Sequence, residues 1–284
     1  MGQQWIITLF PIRGQKLEDV AKIIDGQHRI EGLKNFNGEK PFEINVSIFV
    51  GSDIATQANI FATVNLAQTK VNRSLAYDLL SYESTRSPQK TCHDIAIALD
   101  RYEKSPFKGR IKRLGTATPG RKQKEVLTQA AIVESIVGYI SSAPSKDRNT
   151  FLQRMFPKKA AKDEQTKLIF RNMWLEEKDT EITKIIINYF TAVQNKWPVA
   201  WDDLERKGNV LPKTNGFKAL MRFLRVVYLD FVGEKIGAVP TVDNFSRYFD
   251  RVKMTDDKFN TDTFKPGTSG EALLLRILMK SMPD

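Results

Sequence analysis

Beyond residue 127 the apolar residues recur every three or four positions, the spacing that gathers them on one face of an α-helix. Thr128 stands before Ile132, Ile136 and Ile140, and Ile182, Ile185, Ile186, Tyr189, Phe190 and Val193 fill a helix over 181–196 that Trp197-Pro198 stops. Asn215 is placed to cap a helix carrying Phe217, Leu220, Leu224, Tyr228 and Phe231. Thr241 does the same for Phe245, Tyr248 and Phe249, and Ser269 precedes a last helix with Leu274, Ile277 and Leu278. Shorter helices are expected earlier. One has the face Ile54, Ala58, Phe61 and Val64 behind a Ser52 or Asp53 cap; another carries Leu75, Leu79 and Tyr82 behind Ser74; a third runs near 92–102 with Ile95, Leu99 and Tyr102 in step.

The first fifty residues follow a different rule. Phe42, Ile44, Val46, Ile48 and Val50 alternate with Glu43, Asn45, Ser47 and Phe49, the period-2 pattern of a half-buried strand. Trp5–Phe10 and Val20–Ile24 are short apolar runs, and 29–36 has room for about two helical turns. The expected fold class is therefore α+β, a small sheet near the N-terminus followed by a mainly helical part.

Composition narrows the chemistry. A chain of 284 residues with 41% apolar and 27% charged residues can bury a core and is neither disordered nor fibrous. A single cysteine, Cys92, excludes an internal disulfide and any multi-thiolate metal site, and with only His28 and His93 beside it no metal site is expected. No apolar run is long enough for a membrane span and the start lacks a signal-peptide pattern, so a soluble cytoplasmic protein without a membrane partner is expected.

The net charge of +11 is uneven. From Lys104 to Lys124 there are eight basic residues and no acidic one, interrupted by Pro106, Gly109, Gly115, Pro119 and Gly120, which reads as a loop. Eight uncompensated charges repel one another unless an anion relieves them, so Lys108, Arg110, Lys112, Arg113, Arg121, Lys122 and Lys124 are candidate contacts to the phosphates of duplex DNA. From Lys146 to Arg171 a second stretch carries eight basic residues and three acidic ones.

The most informative stretch is Ile23-Ile24-Asp25-Gly26-Gln27-His28-Arg29-Ile30-Glu31-Gly32-Leu33. Gly26 lets the backbone turn sharply and approach a ligand, and the helix start that follows offers free N–H groups beside the Arg29 guanidinium, a combination suited to phosphate. Asp25 could orient Arg29, accept a proton or help hold a magnesium ion; Gln27 and His28 add polar groups in the same turn.

These residues resemble the DGQHR-domain family, named for Asp25-Gly26-Gln27-His28-Arg29, which includes DndB-like proteins of DNA modification systems and is related to the ParB/sulfiredoxin superfamily. Thr63–Asn72 is similar to the family segment after the motif, and residues 211–220 and 264–270 look like its C-terminal half. The resemblance implies a ParB/sulfiredoxin-like fold with a small mixed sheet over 1–103, a basic loop over 104–124 and a helical domain over 125–284. It implies a nucleotide pocket formed by Gly26, Gln27, Arg29, Asn65 and Gln68, with Asp25 and His28 as catalytic candidates and ATP with magnesium as the cofactor.

Two positions depart from the relatives' pattern. Gln68 stands where ParB-like proteins carry an arginine, and Gln27 stands where sulfiredoxins carry a nucleophilic cysteine. A carboxamide cannot attack a phosphorylated sulfinate, so sulfinic-acid reduction is excluded. The 24 residues before the motif are also fewer than is usual in the family, and a short or divergent start is expected.

The resemblance implies a DNA-associated, nucleotide-binding protein of a DNA modification or defence system, with ATP hydrolysis at the turn and modification enzymes as partners. The alternatives are a DndB-like transcriptional regulator of a phosphorothioation cluster, or a non-catalytic adaptor in which Asp25 and Arg29 form a structural ion pair. Other candidates read as structural: Trp174, Trp197, Trp201, Tyr189 and Phe190 as core, His93 as a surface or satisfied histidine, Asp202, Asp203, Asp256 and Asp257 as solvated carboxylates or caps, and 265–271 as a capped helix start without a P-loop ending.

Overall fold

The 3.6-residue periodicity becomes helices close to where the sequence places them. The structure, a computed structural model, describes residues 10–11, 14–16, 20–34, 36–38, 44–52, 54, 56–58, 60–61, 64 and 72–282. The chain divides into two compact units, Met1–Lys70 and Val71–Asp284, so the division falls at 70/71 where the sequence suggested 103.

In the first unit, α1 spans Gln27–Leu33 and buries none of its residues. Helical backbone recurs at the described positions between 54 and 64. The strand expected over 42–50 is absent among the described residues: 44–50 is irregular and exposes Ile44, Val46, Ile48, Phe49 and Val50. Alternation marks a chain that could be a strand, and without a paired neighbour it stays irregular. Residues 20–24 are irregular as well.

The second unit is mostly helical. It comprises α2 (Arg73–Asp78), α3 (Pro88–Arg101), α4 (Gln129–Ile140), α5 (Pro144–Leu152), α6 (Arg171–Leu175), α7 (Asp179–Lys196), α8 (Pro198–Asp202), α9 (Thr214–Val232), α10 (Val242–Asp250) and α11 (Thr268–Met279). Its sheet is a single parallel pair, β1 (Ile111–Lys112) and β2 (Leu127–Thr128), in register Ile111↔Leu127 and Lys112↔Thr128. Parallel strands need a long crossover, and residues 113–126, the greater part of the basic segment, supply it. Among the described residues the sheet thus lies far from the N-terminal position the sequence suggested.

Side-chain caps open four of the helices, α2, α3, α4 and α10. Thr241 accepts from Asn244 N–H as expected, Asn244 completes a capping box by accepting from Thr241 N–H, and Thr128 accepts from Ala131 N–H. Two expected caps shift. Asn72, not Ser74, caps α2, and the Ser74 hydroxyl instead accepts from Ala130 N–H; Lys213 stands at the start assigned to Asn215, with no side-chain cap, and the last helix starts after Gly267, also uncapped, so that Ser269 lies inside it.

The core joins α3, α4, α7 and α9. Phe107, Phe190, Trp201 and Phe217 meet with ring centroids 4.7–5.8 Å apart, mostly edge to face. Trp174, Trp197 and Trp201 are buried, and their indole N–H groups donate to Thr91, Met254 O and Pro106 O, so they pack rather than stack on bases. Among the described residues no helix is long and apolar enough to cross a membrane.

Candidate functional site

Gly26 adopts a left-handed conformation, φ 96° and ψ 9°, which ordinary side chains resist, and it starts α1 directly. The first helical bond runs from Ile30 N–H to Gly26 O, 3.0 Å, leaving the N–H groups of residues 27–29 without an intrahelical acceptor. Arg29 reaches back along this turn: its Nη2 donates to Asp25 Oδ2 at 3.3 Å and lies 3.4 Å from where a Cβ on Gly26 would sit. The Arg29 side chain is 75% exposed, and Gln27 and His28 are also exposed. Of the sequence-selected group, Asp25, Gly26, Gln27, His28 and Arg29 therefore form one accessible turn. Asn65 and Gln68 lie outside the described residues. Glu31, the next carboxylate, pairs with Lys34 at 2.6 Å.

This turn has cationic donors for an anion and, in Asp25 and His28, two groups able to take a proton. It has little desolvation to strengthen either.

The basic segment is less bare than its sequence. Carboxylates from outside it reach in: Arg110 donates to Asp202 Oδ1 at 2.6 Å and to Trp201 O at 2.7 Å while lying over the Trp201 ring, and Arg113 donates to Asp78 Oδ1 at 3.2 Å. Arg121 pairs with Glu125 at 3.4 Å and Lys108 with Glu103. Lys122 and Lys124 are exposed and Lys112 half-buried, all three without an ion pair among the described residues. The segment's charge is thus compensated at its arginines and Lys108 and open at Lys112, Lys122 and Lys124. The second basic stretch is likewise partnered, with Arg148 on Glu83, Lys159 on Glu176 and Arg171 on Asp147.

The remaining candidates resolve as structure. His93 is fully buried rather than at the surface; its Nδ1 meets Gln129 Nε2 at 3.0 Å, and burial pulls its pKa down. Cys92 is buried too, and burial raises its thiol well above the usual range, away from nucleophilic use. Asp256 accepts from Ala200 N–H at the start of α8, and Asp203 from Arg206 N–H. Gly267 and Thr268 open α11 as a plain helix start.

Sequence reasoning missed Arg101, Asp100 and Glu125, which border the basic segment. Arg101 ends α3 one turn before it, Asp100 accepts from Ile111 N–H at 3.2 Å, and Glu125 accepts from Thr118 N–H at 2.7 Å. Their signal was weak, since carboxylates beside a basic run read as ordinary surface charge. Comparison with protein-family models, with curated proteins and with solved structures finds no match.

Proposed function

We propose that this is a DNA-associated protein of a cytoplasmic DNA modification or defence system that binds a nucleotide at the Asp25–Arg29 turn. The proposal carries with it a ParB/sulfiredoxin-like N-terminal part of the DGQHR type. The observation that supports it is the Gly26 turn itself: a left-handed glycine at a helix start with a guanidinium folded over it, held among the described residues by an exposed ion pair to Asp25. A phosphate can replace Asp25 as the partner of Arg29 with little loss, because charge-assisted contacts to Arg are strongest when bidentate. If a magnesium ion arrives with the nucleotide, Asp25 is the carboxylate at hand, and one carboxylate beside phosphates is ordinary for magnesium.

Hydrolysis would need a base held near the terminal phosphate, and His28 is exposed and unsupported. That exposure favours nucleotide binding without rapid turnover. The test is nucleotide binding and phosphate release from ATP with magnesium, with and without duplex DNA, in wild type and Arg29→Ala. Binding that falls at least about tenfold in Arg29→Ala supports the reading. Turnover lost in the variant adds an ATPase, DNA stimulation ties it to a DNA machine, and equal binding by both proteins refutes it.

A further inference from the structure

After α3 the chain folds over a concavity of about 360 Å³ whose rim carries Arg101, Lys108, Arg113 and Arg121 and whose floor carries Asp100 and Glu125. We propose that this concavity binds a phosphate group, held among the four cationic side chains. The proposal deepens the DNA-contact part of the reading above and rests on it only for the source of that phosphate.

The two carboxylates are already committed to the frame. Asp100 Oδ1 accepts from Ile111 N–H and Asp100 O from Gly109 N–H, while Glu125 Oε2 accepts from Thr118 N–H. Asp100 holds the start of β1, whose buried Ile111 pairs with Leu127, and Glu125 ties the end of the crossover back to its middle at Thr118. Burial also pushes the Asp100 carboxyl upward in pKa, which weakens its opposition to an anion.

The cations, in contrast, keep donors to spare. Arg113 spends Nη2 on Asp78, and its Nε is buried with no acceptor, a donor that has left water and found nothing. Arg121 turns Nε to Glu125 and extends Nη2 over Gly109, where a Cβ would stand 2.9 Å away; glycine with φ 69° keeps that approach open. Arg101 is exposed with no carboxylate partner among the described residues, and Lys108 holds only the exposed Glu103. Arg110, next in the chain, shows what a purely structural arginine looks like here: it is bound to Trp201 and Asp202 and does not line the concavity. Four cations converging on one hollow with unmet donors suit a compact oxyanion better than solvent alone.

The test uses the full chain, inorganic phosphate by calorimetry and a short mixed-sequence duplex by anisotropy, at fixed ionic strength. Arg101→Gln with Lys108→Gln removes two rim charges without stranding a buried partner. Lys104→Gln with Lys207→Gln removes the same charge outside the concavity. Saturable phosphate binding that falls at least about tenfold in the first pair and stays within about twofold in the second supports the proposal. If the duplex competes with phosphate and weakens in the first pair, the source is the DNA backbone. If phosphate binds the same way but the duplex neither competes nor responds, the source is a free phosphate, the concavity stands and the DNA reading of this segment fails. No saturable phosphate binding, or equal losses in the two pairs, overturns the proposal. Arg29→Ala in parallel separates the two sites: phosphate binding lost there and kept in the rim pair assigns it to the turn and overturns the concavity.

Discussion

Arg29–Asp25 in the first unit and Arg171–Asp147 in the second join the same two side-chain types. The first is a contact of one helical turn, 3.3 Å long, with the arginine three-quarters exposed. The second bridges α5 and α6 in a forked geometry, 2.8 and 3.0 Å, with both side chains about one-tenth exposed. Arg171 also donates to Lys158 O and Ile140 O, and Asp147 accepts from Ser141. Arg171 spends four of its five N–H donors, whereas among the described residues Arg29 spends one. The exposed pair can change partners at little cost and is available to a ligand; the buried pair cannot, because water is not there to replace what leaves.

The comparison breaks first at its stronger member. Asp147→Ala leaves the Arg171 guanidinium buried without its counter-charge and is expected to cost about 3–5 kcal/mol. Denaturant unfolding of wild type and variant measures this, with the shift in midpoint read at constant slope. A loss near the level of an exposed pair, below about 1 kcal/mol, would mean that water reaches Arg171 and that the two pairs are of one kind.

How legible each region was in the sequence follows from the range of the contacts that make it. The helices around Ile132, Ile185, Leu220 and Phe245 follow from spacing, and the Thr241 cap from a residue three positions away. The Asp25–Arg29 turn was legible for the same reason, since all its partners are neighbours. What was illegible depends on distant chain. Arg110 finds Asp202 across 92 residues and Arg113 finds Asp78 across 35, so a segment that looks uncompensated is half paired among the described residues. Ser74 looked like a cap, but its hydroxyl accepts from Ala130 N–H, 56 residues on. The alternation over 44–50 promised a strand that pairs with nothing among the described residues, and β1 and β2, two residues each, are too short to show a period.

His93 is a third case, buried like Arg171 yet with no counter-ion among the described residues. Its Nδ1 meets Gln129 Nε2, while its Nε2 and the Gln129 Oε1 have no partner. Burial lowers its pKa below the ordinary 6.5, outweighing the upward pull of Asp94 and Asp78, while Arg113 and Lys90 push it the same way as burial. The stability of the second unit is therefore complete above about pH 6.5, where the histidine is neutral both folded and unfolded. As pH falls from there toward the folded pKa, only the unfolded chain takes up the proton, and stability drops by up to about 1.4 kcal/mol per unit. Unfolding midpoints measured from pH 8 down to about 5, in wild type and His93→Gln, isolate this contribution. A slope that persists unchanged in the variant would assign the acid sensitivity to other groups and leave His93 outside the comparison.

The smallest effect is expected where the ligand proposal is strongest. Arg29→Ala removes a side chain that buries little and holds one exposed partner four residues away, an arrangement worth about 0.3–0.5 kcal/mol. Asp25 is left 28% exposed at the turn and remains hydrated, so no stranded charge adds to the cost. Circular dichroism should superpose on wild type, and hydrogen exchange over residues 20–34 should change by no more than that energy implies, a factor of about two. An Arg29→Ala loss approaching that of Asp147→Ala would place the turn among the structural pairs. Any accompanying loss of nucleotide binding would then report unfolding of the first unit rather than removal of a phosphate contact.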